Sequence, residues 1–347
     1  MSVSACITSV SGPVLLSEER AFLREAQPWG VILMGRSCVS KAQVTALTSE
    51  IKTALGRDAL IFIDQEGGRV ARLKAPEWPK FPAAGTYGAL FENAPETAEQ
   101  ACYLGHLLMG HELSQIGIHA DCAPCLDLRQ TDTHDAIGDR SFGYRVESVT
   151  ALTEAALRGL SDAGVAGVIK HMPGQGRATL DSHYDLPSVG VDEASLEQDI
   201  SAFVALADQA TMGMTCHVVF ETIDSALPAT ISPTVISETI RKRIGFEGLL
   251  MTDDLGMDAL GGTLADRGAK ALAAGCDVLL HCSGFLKDPA EILNEMQSIA
   301  EAAGPLTGLA LSRAQAAEAA VEPAKSVDLE QSWAQFGELL TNMEARA

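Results

Sequence analysis

Between Lys170 and His183 the chain reads Lys-His-Met-Pro-Gly-Gln-Gly-Arg-Ala-Thr-Leu-Asp-Ser-His. Lys170 and His171 close an apolar run. Pro173, Gly174 and Gly176 then break regular structure and make a loop. That loop delivers Asp181 and His183, two positions apart. A carboxylate bonded to one imidazole nitrogen fixes the tautomer and stabilises the imidazolium, so the other nitrogen can donate a proton near neutral pH. An isolated Asp-x-His is an ordinary surface turn; its company here makes it a candidate acid/base pair. Polar groups close other apolar runs too: Asp64, Asp127, His217, the adjacent Asp253 and Asp254, and His281. A chain built for packing alone has no use for so many, and together they indicate a pocket for a polar substrate.

The elements that must position these residues can be read from periodicity. Short apolar runs rich in β-branched residues cover the region around Ala5–Val10, then Gly30–Met34, Ala59–Asp64, His119–Cys125, Val165–Lys170, Gly213–Val219, Gly248–Thr252 and Cys276–His281. Amphipathic helical stretches lie between them, including Pro95–Ile116, Ser148–Asp162, Glu193–Asp208, Pro233–Ile244 and Met257–Ala274. Ser17, followed by Glu18 and Glu19, reads as a helix cap with first-turn acids, and Ser232-Pro233 opens another helix. Eight strands, each followed by a helix or crossover, predict an α/β fold: a single (β/α)8 TIM barrel, with room for irregularity at the N-terminal strands. The runner-up is a doubly wound open sheet, which lacks support because no Gly-x-Gly-x-x-Gly follows an early strand and no P-loop is present. The stretches Phe81–Pro95 and Pro323–Val327 read as loops rather than linkers. Residues 1–347 are therefore expected to form one catalytic domain, with a helical extension from about residue 287. In a barrel the active site is built at the C-terminal ends of the strands, where Asp64, Asp127, Lys170, His171, His217, Asp253, Asp254 and His281 fall.

Composition narrows the function. Of 347 residues nearly half are apolar, enough for a large core, and the formal net charge of −21 leaves nothing to neutralise phosphates, so no nucleic-acid partner is expected. The eight cysteines (Cys6, Cys38, Cys102, Cys122, Cys125, Cys216, Cys276 and Cys282) mostly sit among apolar neighbours and read as buried thiols of a reducing compartment. Cys122 and Cys125 make a lone Cys-x-x-Cys with no second pair at zinc spacing, which favours packing over metal or redox chemistry. The N-terminus carries no basic region ahead of a long apolar run, and no stretch of eighteen apolar residues exists. A cytoplasmic protein without a membrane partner is expected, and the acidic balance specifies no oligomeric state.

The loop sequence resembles the Lys-His-[Phe/Met]-Pro-Gly-x-Gly…Asp-Ser-His signature of glycoside hydrolase family 3, and more closely that family's single-domain bacterial β-N-acetylglucosaminidases of cell-wall recycling. The resemblance continues through Ile63-Asp64-Gln65-Glu66-Gly67-Gly68-Arg69-Val70, Ala123-Pro124-Cys125-Leu126-Asp127, Gly138-Asp139-Arg140-Ser141-Phe142-Gly143 and Thr252-Asp253-Asp254-Leu255-Gly256-Met257. By position it implies Asp253 as nucleophile, since a retaining glycosidase needs a carboxylate to capture the anomeric carbon. It implies Asp181 and His183 as the acid/base dyad in place of a glutamate from a second domain. It assigns Asp64, Arg72, Arg140, Lys170 and His171 to binding the sugar, a sensible set because carboxylates accept from hydroxyls while Lys and Arg donate. His217 resembles a packing position and stays outside the site. No metal and no cofactor are implied. The substrate implied is a terminal N-acetylglucosamine on a 1,6-anhydro-muropeptide. Gln175 stands where many relatives have histidine and Met172 where phenylalanine is usual, which bears on loop packing more than on chemistry.

Rival readings keep their place. Asp253 and Asp254 together could orient a 2-acetamido group that attacks in the nucleophile's stead. A histidine acid/base carries no negative charge, so phosphate could serve as acceptor and make the enzyme a phosphorylase. From another class, a non-catalytic sugar-binding barrel would be expected to have lost Asp253 or the dyad, and all three are present. A metal-dependent hydrolase is weaker still, because Gln115 occupies the second histidine position of the string begun by His111-Glu112.

Overall fold

The structure, a computed structural model, describes residues 2–344, with side chains through 341. Eight strands form one parallel sheet: β1 (Ser4–Ser9), β2 (Pro28–Leu33), β3 (Leu60–Ile63), β4 (Ala120–Asp121), β5 (Ala166–Met172), β6 (Met212–Thr215), β7 (Leu249–Met251) and β8 (Leu279–Leu280). Each lies beside its neighbour in sequence, and β1 also pairs with β8. A bridge between Met251 and Val278 brings β7 against β8 and closes the cylinder. Around this seam the Thr252 N–H donates to the Val278 carbonyl at 3.1 Å, and the Leu280 N–H donates to the Thr252 hydroxyl at 2.9 Å. The fold is a (β/α)8 barrel. Its N-terminal strands are indeed irregular, with a register shift between Ser4 and Ile7 where β1 meets β2.

The strands are short and apolar because both faces are covered. Val31, Ile61, Phe62, Ile63, Val168, Ile169, Leu249, Leu250 and Met251 have no exposure at all. The covering helices are α1 (Ser17–Ala26), α2 (Lys41–Leu55), α3 (Ala84–Phe91), α4 (Pro95–Ser114), α5 (Val146–Asp162), α6 (Glu193–Leu206), a π-helical stretch Val235–Arg243, α7 (Leu264–Ala274) and α8 (Pro289–Ala303). Two more follow, α9 (Gly308–Ala319) and α10 (Leu329–Glu344). The last packs back on α4, burying Phe336.

Four local expectations need correction. Ser17 is the first helical residue and not the cap; Leu16 precedes it, and its N–H is taken by the Glu19 carboxylate at 2.9 Å. Phe81–Pro95 contains α3, hidden by its glycines. Gly88 is small for a reason: a β-carbon there would lie 1.7 Å from the Phe142 carbonyl oxygen, so α3 abuts the loop that carries Arg140. The stretch His119–Cys125 contributes only Ala120–Asp121 as regular strand, since Pro124 has no N–H for the ladder. The helix expected from Met257 begins at Leu264, capped by the Thr263 hydroxyl. Residues 253–263 are instead a loop, and they belong to the site.

Candidate active site

The C-terminal ends of the strands surround a cavity of about 440 Å³. Its floor is a network of buried charge. Asp64, one residue past β3, and Glu66, in a short ribbon formed by Gln65–Gly67 and Val70–Ala71, point the same way because they are two apart on extended chain. The ribbon turns at Gly67 and Gly68, both left-handed; a β-carbon on Gly67 would meet the Pro82 carbonyl oxygen at 2.2 Å. Arg140 grips Glu66 with two parallel bonds, Nε to Oε2 and Nη2 to Oε1, each 2.8 Å. Lys170 Nζ, on β5, sits 2.6 Å from Glu66 Oε1 and 3.5 Å from Asp64 Oδ1, while Arg72 Nη2 donates to Asp64 Oδ2 at 2.9 Å.

Burial pushes the Glu66 carboxyl up, but Arg140 and Lys170 more than offset it and hold it well below the usual carboxylate range. Burial likewise works against charge on Lys170 and Arg140, and their acids win, raising both. Asp64 is lowered by Lys170 and Arg72 against its own burial. All four groups stay ionised across the working range of an enzyme.

His171 is aimed by Asp127, whose Oδ2 lies 2.7 Å from Nδ1; Arg140 Nη2 approaches the other ring nitrogen at 3.4 Å. With Nδ1 as the donor, Nε2 is left as an acceptor. Asp127 is buried against solvation, yet His171 and the Gln175 N–H keep it low. Cys125 also donates its thiol to Asp127 Oδ2, at 3.1 Å. Among the described residues Cys125, Asp127 and His171 form a triad near enough to hold a metal ion. Asp127 accepts from the His171 and Gln175 N–H groups on one oxygen and from the imidazole and thiol on the other. Cys122 and Cys125 are both buried with thiols pushed well up by burial, as packing residues should be.

Above the floor, Asp253 lies two residues past Met251, the end of β7. Its Oδ1 accepts the Asp254 N–H at 2.8 Å, which leaves the second oxygen for chemistry. Asp254 turns elsewhere: its Oδ1 accepts from His281 Nδ1 (3.0 Å) and from the N–H groups of Gly256 (3.0 Å) and Cys282 (3.1 Å). His281 is buried between two acids, Asp254 and Glu295, the latter 2.9 Å from Nε2. Burial disfavours its charge, but the two carboxylates raise it to about 9. His217 is buried as well, with Nδ1 2.8 Å from the Thr230 hydroxyl and Nε2 3.0 Å from the Asp254 carbonyl.

Asp181 and His183 come over the cavity on the loop that follows β5. Asp181 Oδ1 lies 2.6 Å from His183 Nδ1 and accepts the His183 N–H at 3.0 Å. Burial pushes the Asp181 carboxyl up, but these bonds and the neighbouring imidazoles together hold it below its ordinary value. Nε2 is left free of protein partners among the described residues. The loop is tied down by the Asp258 N–H on the His183 carbonyl (3.2 Å) and by Gln175 Nε2 on the Ser182 hydroxyl (3.1 Å).

All eight residues singled out in the sequence (Asp64, Arg72, Arg140, Lys170, His171, Asp181, His183 and Asp253) line this one cavity. In the sequence Asp127 stands out as a polar strand end and Glu66 lies within a motif, but neither is given a role in the site there, although Glu66 is the hub of the floor. The signal for Glu66 was present, because an acid two residues after Asp64 on extended chain must share its face.

The pattern described as the glycosyl hydrolase family 3 N terminal domain matches residues 9–317. A β-hexosaminidase of Alkalilimnicola ehrlichii is 38% identical over 287 residues, 82% of either chain, and one of Methylococcus capsulatus is 38% identical over 276 residues, covering 78% of this chain and 80% of that one. Among solved structures, NagZ from Neisseria gonorrhoeae in complex with N-trifluoroacetyl-D-glucosamine superposes with a TM-score of 0.80 at 27% identity, over 98% of both chains. A family 3 β-N-acetylglucosaminidase from Paenibacillus gives 0.84 at 26% identity, covering 96% of this chain and 66% of that one.

Proposed function

Because the chain belongs to glycosyl hydrolase family 3 and is a glycoside hydrolase of the β-hexosaminidase type, we propose that it removes terminal N-acetylglucosamine by a retaining mechanism, with Asp253 as nucleophile and His183, backed by Asp181, as acid and then base. The observation that carries this reading is the shared cavity: a carboxylate at a strand tip faces an imidazole whose Nδ1 is already committed to Asp181. The sugar seats on the floor, where Asp64, Lys170, Arg140, Arg72 and His171 offer acceptors and donors to its hydroxyls and N-acetyl group. His183 protonates the glycosidic oxygen as it leaves. Asp253 bonds to the anomeric carbon, and a water deprotonated by the now neutral imidazole then releases the sugar with its configuration kept.

Asp254 supports this covalent route over attack by the substrate's own acetamido group. Its Oδ1 is held by His281 and two backbone N–H groups, which ties the carboxylate to the rim beside β8, while Asp253 keeps an oxygen toward the cavity. A 2-fluoro sugar with an activated leaving group is expected to label the peptide bearing Asp253. Tight inhibition by a thiazoline without any labelling would overturn the nucleophile assignment.

Hydrolysis is favoured over phosphorolysis because the cations lining the cavity are already paired: Arg69 with Asp139, Arg72 with Asp64, and Arg140 and Lys170 with Glu66. A phosphate would have to displace a carboxylate. Free N-acetylglucosamine is the expected product with and without added phosphate; sugar 1-phosphate as main product would reverse the assignment. We further place the whole chain, as one catalytic unit, in the cytoplasmic recycling of cell-wall fragments, acting on N-acetylglucosaminyl-1,6-anhydro-muropeptides. The likeness to NagZ and eight free thiols, which suit a reducing compartment, support that placement.

A further inference from the structure

His183 has aromatic company at the cavity mouth. Tyr184, beside it on the loop, and Phe285, on the loop after β8, both line the cavity yet remain 65% and 60% exposed. The three rings form a closed triangle. Centroids lie 6.4 Å apart for His183 and Tyr184, 6.4 Å for Tyr184 and Phe285, and 6.2 Å for His183 and Phe285, the last pair edge-on at 83°. No step of the proposed reaction uses the tyrosine or the phenylalanine, and two large apolar rings left in water beside a reactive group call for a ligand.

The place of the acid fixes what lies against them. His183 must reach the bridging oxygen, so the bond to be broken lies at its Nε2. The ring on one side of that oxygen fills the polar floor. The ring on the other side, the leaving group, must lie just outward of His183, where Tyr184 and Phe285 stand. Pyranose rings present faces of C–H groups that pack on aromatic rings, and such rings bind with little loss of side-chain freedom. Charge offers no alternative handle there. Arg69, the outermost cation of the lining, is engaged by Asp139 at 3.0 Å and by the carbonyls of Ala136 and Ile137 at 2.9 and 3.3 Å.

Resting on the glycosidase reading above, we infer that Tyr184 and Phe285 form the subsite for the leaving-group sugar and recognise it by its C–H face rather than by an anionic substituent. A neutral disaccharide and one bearing a carboxylate on the second ring should therefore depend on the two residues alike.

The test compares Phe285→Ala, Tyr184→Ala and the double variant with wild type on three substrates: the β-fluoride of N-acetylglucosamine, which has no leaving-group ring, N,N′-diacetylchitobiose, and N-acetylglucosaminyl-1,6-anhydro-N-acetylmuramic acid. Each alanine should lower kcat/KM on both disaccharides roughly threefold to tenfold more than on the fluoride, and Phe285→Trp should restore it. Equal losses on all three substrates would mean that the rings support the fold or the sugar floor rather than the leaving group, and no loss on any would mean that they touch nothing. A loss confined to turnover of the disaccharides, with binding of a non-hydrolysable disaccharide unchanged, would mean that the rings only aim the imidazole, and each of these results overturns the inference. Calorimetry with an S-linked chitobiose gives a readout that needs no turnover. The alanine variants should bind it several-fold more weakly while binding N-acetylglucosamine as wild type does, and an unchanged ratio counts against the subsite. Should wild type turn over neither the fluoride nor a disaccharide, the glycosidase reading itself fails, whatever the rings do.

Discussion

The floor of the cavity and the loop above it both hold acid–base pairs at about 2.6 to 2.8 Å, but they hold them by opposite means. On the floor, Lys170 is 2% exposed and the Glu66 side chain 6%, and every partner stands on a strand, a ribbon or a loop backed by a helix. On the loop, the His183 side chain is 44% exposed and its carboxylate is two residues away, so the pair needs no distant element to form. Buried charges that are fully paired hold a binding geometry rigid and keep their ionisation, at a desolvation cost that the fold must offset. A half-exposed imidazole on a loop tied by a few hydrogen bonds can exchange protons with water and admit a substrate. On the proposed reading, rigidity sits where the sugar would bind and freedom where the proton would move.

That contrast can be broken at its most exposed point. His183→Ala should lower kcat/KM, which reads the step that expels the leaving group, by about 10²–10⁴-fold on a disaccharide, yet only about tenfold on an aryl glycoside with an activated leaving group, which needs little protonation. Equal losses on the two substrates would remove the imidazole from the acid role. The floor should respond in stability. Glu66→Gln leaves Lys170 and Arg140 sharing one fewer carboxylate, and urea unfolding should show a loss of about 3–5 kcal/mol, with a raised KM in whatever folds.

A third experiment asks whether buried charge at the rim behaves as it does on the floor. Asp254 and Glu295 face His281 directly, with the Ser283 hydroxyl on Glu295 and the Arg36 guanidinium on the nearby Cys282 and Ser283 carbonyls. The folded-state value of about 9 lies above the ordinary 6.5. The imidazolium therefore contributes its full stabilisation below about pH 6.5 and loses it as pH rises through about 9, up to about 3 kcal/mol in all. Unfolding midpoints measured between those limits should fall in wild type, and Glu295→Gln should flatten the slope. A flat wild-type curve would mean the imidazole is neutral.

The smallest effect is expected at the join between the two regions. The Gln175 backbone N–H donates to Asp127 below, while its side chain donates to Ser182 above. Gln175→Ala should reduce kcat roughly threefold to tenfold through a less ordered dyad, with KM changed less. A larger rise in KM than fall in kcat would place Gln175 with the sugar-binding floor.

Much of this architecture was legible beforehand, for physical reasons that also mark where reading stops. Parallel strands covered on both faces are continuous apolar runs, so β3 and β5 stand out, and their polar termini Asp64 and Lys170-His171 announce the cavity. The start of α7 was misplaced because the apolar spacing from Met257 mimics a helix, whereas Asp254 draws the Gly256 N–H out of helical pairing. The hub role of Glu66 depends on Arg140 and Lys170, 74 and 104 positions away, and only folding brings them together. The aromatic triangle at the mouth is equally non-local, since Phe285 lies on a loop about a hundred residues from Tyr184.

The seam of the cylinder carries one more implication. Thr252, on one side of Asp253, supplies the hydroxyl that takes the Leu280 N–H, and Asp254, on the other, takes the Cys282 N–H. Asp253, the proposed nucleophile, is thus mounted on the clasp itself. Shutting the barrel and seating the Asp253 carboxylate are a single act of assembly, so on the proposed reading a sheet that has curled but not yet met its own edge would be inert, however complete its other seven strands.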